Sequence, residues 1–170
     1  MGDRRRAPGR AGRSRRAREG RGEVSTDGTA AIELERHIAA RPETVFSYLT
    51  DPARFARWQG IDAELDPRPG GAFRFRTTAH PHYVASGRYV EVEAPTRIVF
   101  TWGWEDSPDL GEAQQGLPPG SSTVEVDLVA DGDGTLLRLR HSGLPSETAC
   151  RFHTTGWETT LNLVLADLSG

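Results

Sequence analysis

The chain has 170 residues, with 36% hydrophobic residues, 19 glycines, 11 prolines and a formal net charge of −3. That length suits one domain able to bury a core, and the glycine and proline content points to many turns. The single Cys150 excludes an internal disulfide framework and a multi-cysteine zinc site, and no apolar run approaches the roughly 18 residues of a spanning helix.

Charge divides the chain unevenly. Residues 1–22 hold nine arginines against Asp3 and Glu19, a local charge of +7, so the remaining chain carries −10. An acidic body argues against a nucleic-acid-binding surface, which needs clustered cations to neutralise phosphate. The chain contains no lysine; GC-rich codon composition accounts for this more simply than selection for the bidentate chemistry of arginine. Residues 1–28 have almost no apolar side chains and are expected to form a disordered tail, since they cannot offset their ordering entropy. Three readings of the tail stay open: an extension without function, with Val24 as an alternative start; a solubilising segment; or an electrostatic contact with nucleic acid or an anionic membrane. The start lacks the apolar stretch and cleavage region of a secretory signal, so a cytoplasmic protein is expected.

The folded domain is expected over residues 29–170. Ile32, Leu34, Arg36 and Ile38 alternate with Glu33, Glu35 and His37, the period of a strand with one buried face. Pro42 and Glu43 open a short helix whose apolar face is Val45, Phe46 and Leu49. Asp51 caps a second helix with Pro52 in its first turn, ending at Trp58. A weak strand over 61–65 and a turn at Pro67–Gly71 follow. Phe73 and Phe75 alternate with Arg74 and Arg76, and further strands are expected over 83–93 and 97–105. Ile98, Phe100, Trp102 and Trp104 share one face of the latter. Residues 106–120 lack periodicity and read as a mobile loop. Val124, Val126 and Leu128 form another strand, joined through Asp131–Gly134 to one carrying Leu137 and Leu139.

The last element, roughly 146–168, is the one long helix, with Ser146 as its N-cap. Cys150, His153, Trp157, Leu161, Val164, Leu165 and Leu168 make its apolar stripe. Gly156 inside it costs about 1 kcal/mol relative to alanine, so either close packing or room for a ligand is expected there.

The order of these elements resembles the helix-grip fold of the START-like superfamily. Its motifs are similar to the branch named for the activator of the 90-kDa heat-shock chaperone's ATPase. They run as Pro42-Glu43-x-Val45-Phe46, Leu49-Thr50-Asp51-Pro52 with Trp58, Pro69-Gly70-Gly71-x-Phe73-Arg74, and Gly87-x-Tyr89-x-Glu91-Val92. Pro95-x-Arg97-Ile98-Val99-Phe100-Thr101-Trp102, Gly134-Thr135, His141-Ser142-Gly143-Leu144 and His153-x-x-Gly156-Trp157 with Leu161 and Leu165 complete the set. The resemblance implies an α+β fold: a curved antiparallel sheet of about six or seven strands wrapped on the C-terminal helix, with two short helices after the first strand. It implies an apolar pocket between sheet and helix, but no single reaction, because function does not follow from fold alone. Co-chaperones of this branch add a second domain that grips the chaperone, for which this chain is expected to have no room.

The expected pocket wall is Phe73, Phe75, Tyr89, Phe100, Trp102, Trp104, Val126 and Leu139, with His153, Trp157 and Leu161 from the helix. The alternative is that these aromatics simply fill the core. Such a wall suits a flat hydrophobic ligand. His153 is either a ligand contact or acid–base group, or a core-edge histidine satisfied by a backbone carbonyl; His37 and His141 read as structural. His80-Pro81-His82 lacks further ligands for a metal. Arg36, Arg74 and Arg76 are expected to point outward, and Glu91, Glu93 and Glu105 to be solvated. No phosphate loop, dinucleotide fingerprint or nucleophile elbow occurs, and no cofactor is expected. The leading expectation is a non-catalytic binder of a small hydrophobic molecule, monomeric or homodimeric, acting as carrier, sensor or stress-related accessory protein. The alternative is a cofactor-free cyclase, dehydratase or hydrolase of polyketide-like substrates using His153 with a cavity carboxylate. A chaperone ATPase-activating module is the third reading.

Overall fold

The computed structural model describes residues 30–58, 60–78 and 80–170; the expected N-terminal tail lies outside them. Strand β1 (Ala30–Ile38) buries Ile32, Leu34 and Ile38, as the alternation requires. Helix α1 (Pro42–Thr50) starts on proline, which suits a position whose N–H has no intrahelical partner. Its fully buried residues are Val45, Tyr48 and Thr50, while Phe46 and Leu49 pack only partly buried against the core. Tyr48 can occupy the interior because its hydroxyl donates to Asp167 Oδ2 at 2.6 Å. Helix α2 (Pro52–Trp58) is capped by Asp51, whose Oδ1 accepts from the amides of Ala53 at 2.8 Å and Arg54 at 3.2 Å.

Six further strands follow: β2 (Gly60–Leu65), β3 (Ala72–Thr77), β4 (Val84–Glu93), β5 (Arg97–Trp102), β6 (Ser122–Asp131) and β7 (Gly134–Leu144). They form one antiparallel sheet in the order β1-β7-β6-β5-β4-β3-β2, and helix α3 (Glu147–Ser169) closes the chain. Between β6 and β7 the pair Asp131↔Gly134 leaves a two-residue loop. Gly132 there has φ +59°, the left-handed value that such a hairpin turn favours. Ser146 Oγ accepts from Ala149 N at 3.1 Å and so caps α3. This is the helix-grip architecture, α+β with seven strands.

The two faces of the sheet differ sharply. The concave face carries the aromatics: Phe73 stacks on Phe100 with centroids 4.2 Å apart, and Phe55 of α2 meets Phe75 edge-on at 5.1 Å. The convex face carries a charge ladder set by register. Glu33 and Glu125 lie opposite Arg140, while Glu35 and Asp127 lie opposite Arg138. Arg97 reaches Asp127 at 2.9 Å, Glu125 at 3.0 Å and Glu91 at 3.2 Å. Cross-strand pairs of this kind contribute roughly 0.2–1 kcal/mol each. Arg74 and Arg76 also point outward, to Glu105 and Asp62. Arg36 instead shares the inward parity of Ile32 and Leu34 and lies 3.9 Å from Glu158 on α3.

Two expectations change at the end of β5. The strand stops at Trp102 rather than Glu105; Gly103 hands the chain over, and Trp104 makes a single bridge to Ala85. Residues 106–120 hold no helix or strand, yet they are anchored rather than free. Trp104 N donates to Leu117 O at 2.8 Å, Leu117 is buried, and Tyr83 Oη donates to Asp109 O at 3.1 Å. Gly103 permits this approach, because a Cβ there would overlap the Pro118 carbonyl. Gly103→Ala is therefore expected to cost at least 1–3 kcal/mol, the usual penalty for overpacking, read as a lower urea midpoint with an unchanged m-value. A midpoint equal to that of the parent would show that the loop yields freely.

Candidate functional site

Helix α3 crosses the concave face, and most of the space between them is filled. Phe73, Phe100, Trp102, Val126 and Leu139 from the sheet meet Trp157 and Leu161 from the helix, leaving a void of about 20 Å³. That volume holds about one water molecule and no organic ligand. Beside it lies a far larger cleft of about 360 Å³. Its helix wall is Phe152, His153, Gly156, Trp157, Thr159, Thr160 and Leu163, and the facing wall runs through Thr77, Thr78, His80, Pro81 and Tyr83. Trp102 and Trp104 form its inner end. Trp102, Trp157 and Thr160 border both spaces and so partition them.

The expected site residues therefore separate into three groups. Trp102, Trp104, His153 and Trp157 come together on the cleft. Phe73, Phe100 and Leu161 line the small void. Phe75 and Tyr89 line neither; they are packed in the core at 0% and 1% exposure. The wall residues that sequence reasoning passed over are Phe152, Thr159, Thr160 and Leu163 on the helix, with Thr77, Thr78, His80, Pro81 and Tyr83 facing them. Phe152 and Leu163 are the cleft's exposed rim, at 41% and 46%. Their signal was available: Phe152, Gly156, Thr159 and Leu163 recur at three- and four-residue spacings along one helical face.

Gly156 has no packing role. A Cβ built on it meets nothing within 4 Å, and its backbone is ordinary helix. Of the two reasons considered for a glycine inside α3, close packing is excluded and open space remains.

The inner end of the cleft is held by two buried tryptophan–histidine hydrogen bonds. Trp104 Nε1 donates to His153 Nε2 at 3.1 Å, and His153 Nδ1 donates to Ala149 O at 2.8 Å. Trp157 Nε1 donates to His141 Nδ1 at 3.1 Å, His141 Nε2 lies 2.8 Å from Ser122 Oγ, and Ser122 Oγ donates to Trp102 O at 2.9 Å. An indole can only donate, so each imidazole must present a lone pair to it. His153 is thereby fixed as the neutral Nδ1–H tautomer and His141 as the neutral Nε2–H tautomer. Burial lowers the pKa of His153, and burial together with the adjacent His153 holds that of His141 well below the ordinary histidine value. His141, read from sequence as structural, thus connects strand β7 to the cleft; its parity with Leu137 and Leu139 was the sequence signal.

No aspartate or glutamate lines the cleft among the described residues. Glu91 pairs with Arg97, and Glu105 with Arg74 at 2.7 Å, which lowers the Glu105 pKa. The rings of His80 and His82 lie tilted against each other with centroids 3.9 Å apart, and His82 Nδ1 is 2.7 Å from Thr77 O. Among the described residues no three His, Cys, Asp or Glu side chains gather as a metal-ligand set. No described helix is long and apolar enough to cross a membrane.

Comparison with known proteins agrees with this architecture. The sequence pattern of the family described as Activator of Hsp90 ATPase homolog 1-like protein matches residues 39–168. The AHSA1-like protein of Rhizobium etli is 38% identical, with 81% of this chain and 80% of that one covered at a TM-score of 0.60. CalU16 of Micromonospora echinospora is 28% identical over 86% of this chain and 84% of that one, TM-score 0.63. The AHSA1 protein of Silicibacter pomeroyi is 26% identical over 82% and 98%, TM-score 0.67. Among curated proteins none matches this chain.

The two neutral imidazoles make stability depend on pH with a definite sign. The unfolded chain binds protons at His141 and His153 near pH 6.5, whereas the folded chain binds them only at lower pH, so stability is lost as pH falls below about 6.5. Each histidine adds up to about 1.4 kcal/mol per pH unit in that window. Urea unfolding at pH 7.5 and 5.5 is expected to show the loss. His141→Gln, whose amide can accept from Trp157 and donate to Ser122, is expected to remove about half of it; an unaltered pH slope would exclude His141 as a source.

Proposed function

Because the chain belongs to the family of Activator of Hsp90 ATPase homolog 1-like proteins, within the START-like superfamily, we propose that it binds a small apolar ligand in the cleft beside α3. Residues 29–170 would form the binding domain, working in the cytoplasm as carrier, sensor or accessory protein. The observation that carries this reading is Gly156: a residue costing about 1 kcal/mol in a helix, with open space beyond it, midway along an aromatic cleft of about 360 Å³. The cleft has the apolar walls and few polar groups typical of small-molecule sites. The family's name refers to chaperone activation, a role that the cleft described above does not call for.

The chemistry of the wall supports binding over turnover. Both nitrogens of His153 are committed, one to an indole donor and one to a backbone carbonyl. A general base needs a free lone pair within reach of the substrate's proton. The carboxylate that a cyclase or hydrolase of this design would use has no counterpart among the described lining residues.

Gly156 supplies the test. Gly156→Leu places a side chain in the cleft without backbone strain and is expected to weaken binding of the neutral fluorophore N-phenyl-1-naphthylamine at least tenfold. Gly156→Ala is expected to raise stability by about 1 kcal/mol while binding far better than the leucine variant. Equal probe affinity in parent and Gly156→Leu would place binding elsewhere and overturn the assignment.

A further inference from the structure

We propose that the arginine-rich segment of residues 1–22 docks on this chain's own surface, in the groove that residues 104–119 form beyond the end of β5. The inference is independent of what the cleft binds. The groove encloses about 440 Å³; Trp104, Leu110, Leu117 and Pro118 give it an apolar wall, to which Asp106 adds a carboxylate. Trp104 also borders the cleft, so the two spaces share that residue as a wall.

Charge singles this groove out. Asp106, Asp109 and Glu112 follow one another along its segment, and none has an ion-pair partner among the described residues. No arginine, lysine or histidine occurs between Arg97 and Arg138, so the stretch brings no cation of its own. Glu33, Glu35, Glu125 and Asp127 are engaged in the convex ladder, and Glu105 with Arg74. Residues 1–22, at +7, are the counterpart of a remainder at −10.

The register puts the segment's attachment at the same end of the sheet. Strand β1 begins at Ala30, opposite Leu144; Ser142 lies opposite Thr123 of β6, and Ser122 opposite Trp102 of β5. At about 4.8 Å per strand, Ala30 stands about 10 Å from the start of β6 and about 14 Å from the end of β5. Residues 103–121 run between those two points. The step from Arg21 to Ala30 can span up to about 30 Å, twice what is needed. Glu93 and Asp133, whose carboxylates are also without ion pairs, lie at the opposite end, by Arg97 and the β6–β7 hairpin. Arginine suits both parts of the groove. Its planar guanidinium stacks on an indole and pairs with a carboxylate, while its stem covers apolar surface. A short tether raises the effective concentration to about the millimolar range, so individually weak exposed pairs suffice.

A nitroxide on residue 14 locates the segment. In the full chain carrying Ser14→Cys and Cys150→Ala, it is expected to broaden the amide resonances of residues 105–117 in ¹H–¹⁵N spectra at about 20 mM salt. The β6–β7 hairpin is expected to be affected less than half as much. Most of the broadening is expected to vanish at 1 M salt, where the screening length falls to about 3 Å. Asp106→Asn, Asp109→Asn and Glu112→Gln together are expected to reduce it at least threefold, whereas Glu93→Gln with Asp133→Asn leaves it unchanged. No broadening of 105–117 at low salt, or broadening equal at both ends of the sheet, would overturn the proposal. Binding of the chain to phosphatidylglycerol vesicles or an RNA oligonucleotide would then give the arginines an external partner. Equal broadening when the nitroxide sits on a separate, unlabelled-nitrogen copy would assign the groove to a second chain and overturn docking within one.

Discussion

A buried indole N–H can only donate, so it is satisfied only where a lone pair is brought to it. Trp104 and Trp157 are satisfied through His153 and His141, and this pairing joins the last helix to strand β7, through Ser122 to β6, and to Trp104 just past the end of β5. The bonds are directional and run from donor-only groups to imidazoles that must stay neutral. They fix two tautomers, the height of α3 above the sheet and the position of the cleft's inner end. A protonated imidazole in either place would set donor against donor inside an aromatic cluster, where unshielded charge is costly.

Charge is sorted with equal consistency. The period-2 alternation of the strands puts glutamates and arginines on the convex face and aromatics on the concave one, and the register then aligns opposite charges across neighbouring strands. The ladder's contribution to stability is modest, because its members are half-exposed and screened. Its consequence for the site is larger: Glu91, Glu125, Asp127 and Arg97 are engaged with one another away from the cleft. What remains around the ligand space is ring surface, threonine hydroxyls and imidazole.

Two glycines show how the same residue serves opposite ends. Gly103 is needed because the chain there presses against Pro118, which lets residues 104–120 return and bury Leu117. Gly156 touches nothing, and its value lies in the volume it leaves open. Backbone entropy marks any glycine as costly to order; only their surroundings tell these two apart.

The local rules of the chain were enough for the architecture. Alternation in 32–38, 73–75 and 124–128, proline and aspartate at the helix starts, and the three- and four-residue stripe of α3 define the elements, and their order defines a helix-grip fold. These signals are legible because each depends on near neighbours. The site was legible only in part: Trp102, Trp104, His153 and Trp157 belong to the cleft, while Phe75 and Tyr89, on strands of the same apolar parity, vanish into packing. Parity says which face a side chain occupies but not how far along a curved sheet the helix covers it. Which aromatics close against α3 and which stay beside open space was decided by long-range packing, by the anchoring of 104–120 and by the pairing of indoles with histidines up to 49 residues away. Those contacts depend on where distant elements meet, and no local pattern encodes that.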